Sequence, residues 1–307
     1  MEKLVIATRE SPLALWQANY VRDLLVGHFP KLHVELLGMT TEGDRELGQS
    51  LAKIGGKGLF IKELEASMLD GRAHLAVHSM KDVPVQLPPG FCLPAILARD
   101  EARDAFVSNA YKNLSDLPSG AVVGTSSLRR SSQLVAQFPH LAFKPLRGNL
   151  QTRLGKLDGG HFDAIILAAA GLKRLGLSQR ITAYLSIEHC IPAVGQGALG
   201  IECLSDNSDV IELVSQLNDP NIQFCVDLER AFSLRLSGSC TTPLGAYAEL
   251  TQQGLSFDAI LATPDGSKLL KESGSCGTDK VAAFGLIDSL VRKMYDSGAQ
   301  EILDSLA

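Results

Sequence analysis

Arginine is the residue type whose placement most clearly suggests chemistry in this chain. Arg129, Arg130, Arg147 and Arg153 all fall where a predicted strand gives way to a predicted helix. Guanidinium groups and helix N-termini both favour carboxylates or phosphates. Arg9 follows the first predicted strand, so another part of the chain offers the same chemistry. The pattern predicts a ligand that carries several negative groups.

Two alternative roles of these arginines stay open. Any one of them can be a surface residue paired with a nearby acid, although the presence of several at equivalent strand ends weakens this alternative. A polyphosphate site is the second alternative. It has little support, because the chain has no GxxxxGK[ST] motif and the glycines of residues 55–58 have the wrong spacing.

Asp82 is the best candidate for a catalytic carboxylate. It follows the buried strand predicted at residues 75–78 and lies next to Lys81, at a strand end where open α/β sheets bind ligands. A carboxylate there can stabilise a cationic intermediate and exchange protons with a leaving amine. The structural alternative is an Asx turn ahead of Pro84. His78, at the end of the same predicted strand, is a further candidate for catalysis, and the alternative is that it is a packed histidine of the core.

Cys240 is the cysteine best placed to react. It lies in a loop of small and polar residues, 237–243, where a sulfur atom is accessible, although an exposed loop cysteine can also be accidental. The other five cysteines lie in apolar or helical stretches. No CxxC pair and no His/Cys cluster with zinc spacing occurs, so we expect reduced thiols and no metal site.

Composition excludes several classes of protein. With 307 residues, the chain is long enough for two or three domains. Its net charge of -5 gives no general attraction to nucleic acid or acidic lipid. No apolar run approaches the ~20 residues of a membrane span, and the N-terminus lacks a signal-peptide pattern. We therefore expect a cytoplasmic protein without nucleic-acid or membrane partners.

The order of predicted elements divides the chain into three domains. Strands and helices alternate in the first two, and the second repeats the plan of the first, so a cleft between two α/β domains is expected. The predicted boundaries are residues 1–98 with 198–217 for the first α/β domain, 103–192 for the second, and 220–307 for a small C-terminal α+β domain.

Two segments have no regular period. Residues 40–58 are rich in glycine and include Lys53 and Lys57, which predicts a mobile functional loop. Residues 192–202 consist mostly of small side chains and precede a predicted helix, so they predict a hinge that returns the chain to the first domain.

Seven motifs, in order along the chain, resemble those of the hydroxymethylbilane synthase family. They are ATRESPLALWQ at 7–17, KIGGKGLF at 53–60, AVHSMKDVP at 76–84, VGTSSLRR at 123–130, LRGN at 146–149, AIILA at 164–168 and PAVGQGALG at 192–200. Motifs of this length are specific to one family, unlike a lone GxGxxG.

The resemblance implies a fold, a cofactor and a reaction. The family has two α/β domains like those of periplasmic binding proteins and a small α+β domain. Its cofactor is a dipyrromethane in thioether linkage to a loop cysteine, which corresponds to Cys240 here. The family deaminates porphobilinogen, joins four of the resulting units head to tail on this primer, and releases hydroxymethylbilane by hydrolysis for tetrapyrrole biosynthesis. A monomeric transferase is implied.

The resemblance also implies roles for individual residues. Asp82 is the implied catalytic acid, and Lys53 and Lys57 belong to the implied active-site loop. The implied cofactor contacts, besides Cys240, are Ser79, Lys81, Thr125, Ser127, Arg129, Arg130, Arg147 and Gly148. The implied substrate contacts are Arg9, Ser11, Arg147, Arg153, Arg174 and Gln196.

The chain departs from the family pattern beside the cofactor cysteine. Ser239 stands where many relatives have glycine, and Thr241 where they have Gln or His. A serine lacks the freedom of glycine at positive φ. A rival hypothesis is a two-lobed protein that binds small anions without catalysis, since fold does not fix function. Such a protein would need neither Asp82 nor Cys240.

Overall fold

The computed structural model describes residues 1–41, 61–236 and 242–306. The chain forms two compact units, Met1–Asp100 with Gly197–Phe224, and Glu101–Gln196 with Cys225–Ala307. The second unit contains both the second α/β sheet and the C-terminal sheet.

Unit 1 is built on a five-stranded mixed sheet with the order β2-β1-β3-β10-β4. Strands β1, β2 and β3 are parallel, whereas β10 runs antiparallel to both β3 and β4. The strands are β1 (Lys3–Arg9), β2 (His33–Met39), β3 (Leu75–Ser79), β4 (Phe91–Ile96) and β10 (Leu199–Leu204). The helices of this unit are α1 (Pro12–His28), α2 (Lys62–Leu69) and α6 (Ser208–Ser215).

Both faces of this sheet are covered, which explains its nearly continuous apolar strands. Ala18, Val21 and Leu25 of α1 pack on one face together with Val210 of α6. Leu64 and Met68 of α2 pack on the opposite face against Ala7 and Ala76. Alternate residues of each strand therefore contribute to two separate cores.

Unit 2 contains a second five-stranded sheet with the order β7-β6-β8-β5-β9. Strands β6, β7 and β8 are parallel, and β5 runs antiparallel to β8 and β9. The strands are β5 (Asp104–Val107), β6 (Val122–Gly124), β7 (Ala142–Lys144), β8 (Ala164–Ala168) and β9 (Ala183–Tyr184). The connecting helices are α3 (Leu128–Gln137), α4 (Leu150–Asp158) and α5 (Ala169–Arg174). Three parallel strands followed by an antiparallel neighbour repeat the plan of unit 1.

The C-terminal part of unit 2 is an antiparallel meander with helices. It consists of α7 (Pro220–Arg235), β11 (Leu244–Thr251), β12 (Gly254–Ala262), β13 (Leu269–Cys276), α8 (Lys280–Asp296) and α9 (Ala299–Asp304). The residues of α7 up to Phe224 belong to unit 1. Phe232 of α7 packs against Phe257 of β12, with ring centroids 5.5 Å apart. Two α/β sheets followed by this α+β segment confirm the predicted fold class.

Sequence patterns locate most of these elements but miss four strands. They do not predict β4, β5 and β9, and β10 covers the last part of the segment predicted as a hinge. Gly200 and Glu202 interrupt the apolar pattern of β10, so this run does not resemble a strand. In the part of the chain that the structure describes, no helix is both long enough and apolar enough to cross a membrane.

Candidate active site

A pocket in unit 1 lies where β1 and β3 end beside each other. Because the two strands are parallel neighbours, the residues that follow them meet at one edge of the sheet. The pocket brings together Arg9, the last residue of β1, and Ser79, the last residue of β3, with Ser11 and Asp82, which follow these strands. Four of the sequence-predicted site residues are therefore neighbours in this structure. The other lining residues are Leu13, Ala14, Gln17, Ile61, Leu64, Val77 and His78.

The start of α1 fixes the floor of this pocket. Ser11 is the N-cap, and its hydroxyl accepts a hydrogen bond of 3.4 Å from the backbone N–H of Ala14. Pro12 occupies the first helical position, where its missing N–H has no cost. One turn further, the buried Gln17 donates its Nε2 to the Ser79 hydroxyl at 2.8 Å. Gln17 thus links the helix to the strand end, a contact that sequence reasoning missed.

A short 3₁₀ turn, Met80–Asp82, holds the candidate catalytic carboxylate. Met80 is fully buried and anchors the turn, while Asp82 is exposed and Lys81 is half-buried. A side chain at Gly200 of the adjacent strand would collide with the Met80 sulfur, so glycine is required there for the anchor to fit. The turn therefore exposes the Asp82 side chain to solvent while the buried Met80 side chain holds the backbone in place.

His78 is paired with a buried acid behind the pocket. Its Nε2 lies 2.8 Å from Oε2 of Glu202 on β10, and both side chains are buried. The second oxygen of Glu202, Oε1, is buried without a hydrogen-bond partner among the described residues. Burial raises the pKa of Glu65 on α2, and the charge of Glu202 raises it further. The carboxyl groups of Glu65 and Glu202 thus lie close enough to interact.

Unit 2 concentrates positive charge where its strands β6 and β8 end, which corresponds to the pocket position in unit 1. Arg129 and Arg130, in the first turn of α3, are both buried and both bind the fully buried Asp104 of β5. Nη2 of Arg129 lies 2.8 Å from Oδ2 of Asp104, and Nη2 of Arg130 lies 2.7 Å from Oδ1. Two guanidinium groups share one carboxylate, so these three residues carry a net charge of +1. Nε of Arg129 is buried without a hydrogen-bond partner among the described residues.

Asp104 stays ionised because of these arginines. Burial alone would raise the pKa of Asp104, but the charges of Arg129 and Arg130 outweigh it and hold the pKa well below its usual range. Gln196 donates its Nε2 to the same carboxylate at 2.9 Å and to the carbonyl of Ala102 at 2.7 Å. Gln196 therefore contacts the arginine cluster through a hydrogen bond to the carboxylate of Asp104.

The neighbouring thiol of Cys190 belongs to the same buried cluster. Its Sγ lies 3.4 Å from Oδ2 of Asp104, and burial raises its pKa to about 12. A thiol with such a pKa remains protonated near neutral pH. Cys190 is therefore a packing and hydrogen-bonding residue of the cluster.

The remaining predicted residues of unit 2 surround the N-termini of two helices. Thr125 is buried, and its hydroxyl accepts a hydrogen bond of 3.2 Å from the backbone N–H of Ser127. Gly148 has a φ of +107°, and its carbonyl accepts Nε of Arg153 at 2.8 Å. Arg147 is half-buried beside it, and its carbonyl accepts Nζ of Lys156 at 3.1 Å.

Arg174 completes the set of predicted arginines. It ends α5, which directly continues β8, and it is 8% exposed. Because α5 has six residues, Arg174 lies about two turns beyond the strand end. It is thus buried within unit 2.

Two structural acids escape the sequence analysis. Asp104 and Glu202 each lie on an antiparallel strand that the patterns do not predict, and each is 0% exposed. For Glu202 the available signal was a carboxylate inside an otherwise apolar run, since acids are buried only when paired. Asp104 directly follows Arg103 and gives no such signal.

Three sequence-predicted residues lie outside the described residues: Lys53, Lys57 and Cys240. Their predicted roles stay predictions. Among the described residues, no group of three or more His, Cys, Asp or Glu side chains could hold a metal ion.

Comparison with known proteins assigns both parts of the chain to one family. Residues 4–212 match the model described as "Porphobilinogen deaminase, dipyromethane cofactor binding domain", and residues 223–296 match "Porphobilinogen deaminase, C-terminal domain". A porphobilinogen deaminase of Chromobacterium violaceum is 55% identical over 99% of this chain and 97% of its own length. One from Ralstonia nicotianae is 56% identical over 99% of this chain and 92% of its own.

Solved structures with similar folds are much more distant in sequence. The methionine-binding protein MetQ is 13% identical, with a TM-score of 0.45 over 70% of this chain and 89% of its own. A putative methionine-binding lipoprotein from Bacillus subtilis is also 13% identical, with a TM-score of 0.43 over 72% of this chain and 92% of its own.

Proposed function

Because this chain belongs to the porphobilinogen deaminase family, we propose that it joins four porphobilinogen molecules head to tail with loss of ammonia and releases hydroxymethylbilane. The family is one of transferases, so the chain is an enzyme. The observation that carries the site assignment is the pocket of unit 1, where Asp82 and Arg9 meet at adjacent strand ends.

Asp82 is the proposed catalytic acid. Porphobilinogen loses ammonia from an aminomethyl group, so its pyrrole ring develops positive charge and the departing amine needs a proton. An exposed carboxylate on a fixed turn can face that charge and exchange that proton. The buried Met80 supports this role, because it limits the movement of the turn.

Arg9 and the polar groups beside it are the proposed substrate contacts of unit 1. Each porphobilinogen carries an acetate and a propionate, which a guanidinium group can bind with two parallel hydrogen bonds. Ser11 and Ser79 supply hydroxyl groups from both sides of the pocket. Gln17 holds the Ser79 hydroxyl in place and acts as a positioning residue.

In unit 2, the net charge of the Arg129–Arg130–Asp104 cluster supports the binding of carboxylates. One carboxylate cannot neutralise two guanidinium groups, and Nε of Arg129 has no partner among the described residues. An acetate or propionate would complete the charge balance. Arg147, Arg153 and Arg174 remain the further proposed substrate contacts, and Gln196 supports them through Asp104.

The same positive cluster fits the cofactor of the family, a dipyrromethane with four carboxylates. The proposed contacts are Ser79, Lys81, Thr125, Ser127, Arg129, Arg130, Arg147 and Gly148. When bound, this group supplies a pyrrole carbon nucleophile as the primer for chain growth. Cys240, which lies outside the described residues, is the proposed attachment point.

The expected surroundings of the enzyme are also proposals. A location in the cytoplasm agrees with the free state of the five described cysteines. A monomer is proposed from the family alone. Porphobilinogen would be the small-molecule partner, and hydroxymethylbilane would pass to the enzyme that consumes it. Lys53 and Lys57 are the proposed contacts of an active-site loop.

Replacement of Asp82 tests the catalytic assignment. In Asp82→Asn, we expect kcat for porphobilinogen consumption to fall by about 100-fold or more, because general acid–base catalysis contributes that much. The matched control is Asp23→Asn, an exposed acid on α1 away from the pocket, which should retain activity. Full activity of Asp82→Asn would contradict the assignment.

Intact mass tests the covalent primer separately. The wild-type chain should exceed its sequence mass by two porphobilinogens less two ammonias, and Cys240→Ser should not. A wild-type chain that stays unmodified and inactive after incubation with porphobilinogen would favour the rival, an anion-binding protein without catalysis.

A further inference from the structure

Two cysteines of unit 1 lie opposite each other on neighbouring strands. Cys92 on β4 and Cys203 on β10 are direct partners in the antiparallel register, and their Sγ atoms are 3.7 Å apart. Cys203 is completely buried, whereas Cys92 is half-buried. Of the two residues, the half-buried Cys92 is therefore the one that a small molecule in solution can approach, and the Cys203 sulfur is in contact with it.

The backbone at this position suits a disulfide. Facing residues of an antiparallel pair have Cα atoms about 4.5–5.5 Å apart, within the range of about 4.4–6.8 Å that disulfides span. Bond formation requires the sulfurs to approach by roughly 1.7 Å, from the observed 3.7 Å to about 2.05 Å. The register shifts between Ile201 and Cys203, so the strand is locally irregular next to the thiol that must move.

The surroundings of the pair slow its reaction with oxidants. Burial raises the pKa of the Cys92 thiol, and it raises that of Cys203 further above the usual range. Few thiolates are then present at neutral pH, so attack on an oxidant is slow. Once one sulfur is oxidised, however, the second is already in contact, and the intramolecular step is favoured over further oxidation.

We propose that Cys92 and Cys203 are a site of reversible oxidative modification, at which a peroxide converts the two thiols into an intramolecular disulfide. The Cys92 sulfur attacks one oxygen of hydrogen peroxide, the O–O bond breaks, and a sulfenic acid and one water form. The Cys203 sulfur then attacks the Cys92 sulfur, the S–O bond breaks, and a second water leaves. Both sulfurs are oxidised, and the peroxide is reduced. A dithiol reductant reverses the reaction.

The disulfide would fasten β4 to β10 beside the buried pair behind the pocket. Glu202, the residue before Cys203, binds His78 of β3, so β10 connects the thiol site to the strand that ends at the pocket. A covalent bond between β4 and β10 removes conformations from the unfolded chain. The oxidised form should therefore unfold at a higher urea concentration than the reduced form.

Peptide mapping of the peroxide-treated enzyme tests this proposal directly. The wild-type protein is treated with hydrogen peroxide, free thiols are blocked with N-ethylmaleimide, and a non-reducing digest is analysed by mass spectrometry. We expect a linked peptide pair containing Cys92 and Cys203, lighter by two hydrogens than the separate peptides, that disappears after dithiothreitol. The assignment is made by peptide identity, so it does not depend on the state of Cys240 or on catalysis.

Two variants separate the steps. In Cys203→Ala, Cys92 should stop at the sulfenic acid, which dimedone traps, and no linked pair should form. In the control Cys276→Ser, which removes a half-buried thiol from β13, the linked pair should form as in the wild type. If a folded wild-type chain treated with peroxide shows Cys92 as sulfinic acid or still free, with no linked pair, the proposal is wrong. That conclusion holds even if a variant does not fold.

Discussion

The two α/β sheets each bury an acid on the corresponding antiparallel strand but surround it differently. Asp104 pairs with the last residue of β8, whereas Glu202 pairs with the second residue of β3. In each sheet the antiparallel strand beside the third parallel strand carries one fully buried carboxylate, Glu202 on β10 and Asp104 on β5. Glu202 has one partner, His78, and an oxygen with none among the described residues. Asp104 binds two arginines, a glutamine and a thiol.

We interpret this difference as one sheet plan used for two kinds of proposed ligand group. The exposed carboxylate of Asp82 in the pocket of unit 1 suits a group that develops positive charge. The cluster around Asp104 retains one positive charge and suits carboxylates. The proposed substrate carries both kinds of group, an aminomethyl group and two carboxylates.

Removal of Asp104, the acid with more hydrogen-bond and ion-pair partners, should lower the free energy of unfolding the most. In Asp104→Ala, two buried guanidinium groups lose their shared carboxylate, and the free energy of unfolding should fall by about 3–5 kcal/mol. Urea unfolding followed by far-UV circular dichroism measures this loss. The chain's one tryptophan, Trp16, lies in unit 1, so its fluorescence reports on the other unit. A change below about 1 kcal/mol would contradict the importance of the cluster.

The charge of Asp104 can be tested by pH without removing its shape. Its pKa is lower in the folded chain than its ordinary value of 3.8, so its stabilisation is complete above that value and is lost as pH falls below it. In Asp104→Asn this contribution is absent at every pH. The gap in unfolding free energy between wild type and variant should therefore be widest near neutral pH and narrow below about pH 4. A constant gap would mean that charge is not the cause.

Replacement of Glu202, the acid with fewer partners, should lower the free energy of unfolding by a smaller amount. Glu202→Gln keeps an oxygen that can accept from His78 but buries an amide N–H₂ without a clear partner. We expect a loss of about 1–3 kcal/mol in unfolding free energy, detected by Trp16 fluorescence during urea unfolding. A loss equal to that of Asp104→Ala would remove the distinction between the two acids. Full loss of activity at unchanged stability would instead place Glu202 in the chemistry.

A partly exposed ion pair should show the smallest loss of unfolding free energy among these acids. Asp288 on α8 accepts Nε of Arg235 at 2.6 Å, with side chains 48% and 34% exposed. Asp288→Asn should lower the unfolding free energy by less than about 1 kcal/mol, because solvent screens such pairs. The same urea experiment applies. A larger loss would show that burial does not account for the effects at Asp104 and Glu202.

Local residue preferences are enough to locate the strand ends that carry chemistry and to indicate the family of the chain. Apolar runs, the Ser11–Pro12 helix start and the arginines after predicted strands are visible in a single sequence, because each depends on neighbouring residues. The fold class and the meeting of Arg9 with Asp82 follow from the rule that parallel strands end at one edge.

The pairing of charges, in contrast, depends on the tertiary structure. Asp104 lies 25 residues from Arg129, and Glu202 lies 124 from His78, so each contact requires a particular order of strands in a sheet. The same is true of Cys92 and Cys203, which are 111 residues apart. Antiparallel strands that return from distant segments leave no local pattern, and Glu202 interrupts the apolar run by which β10 would be recognised in the sequence.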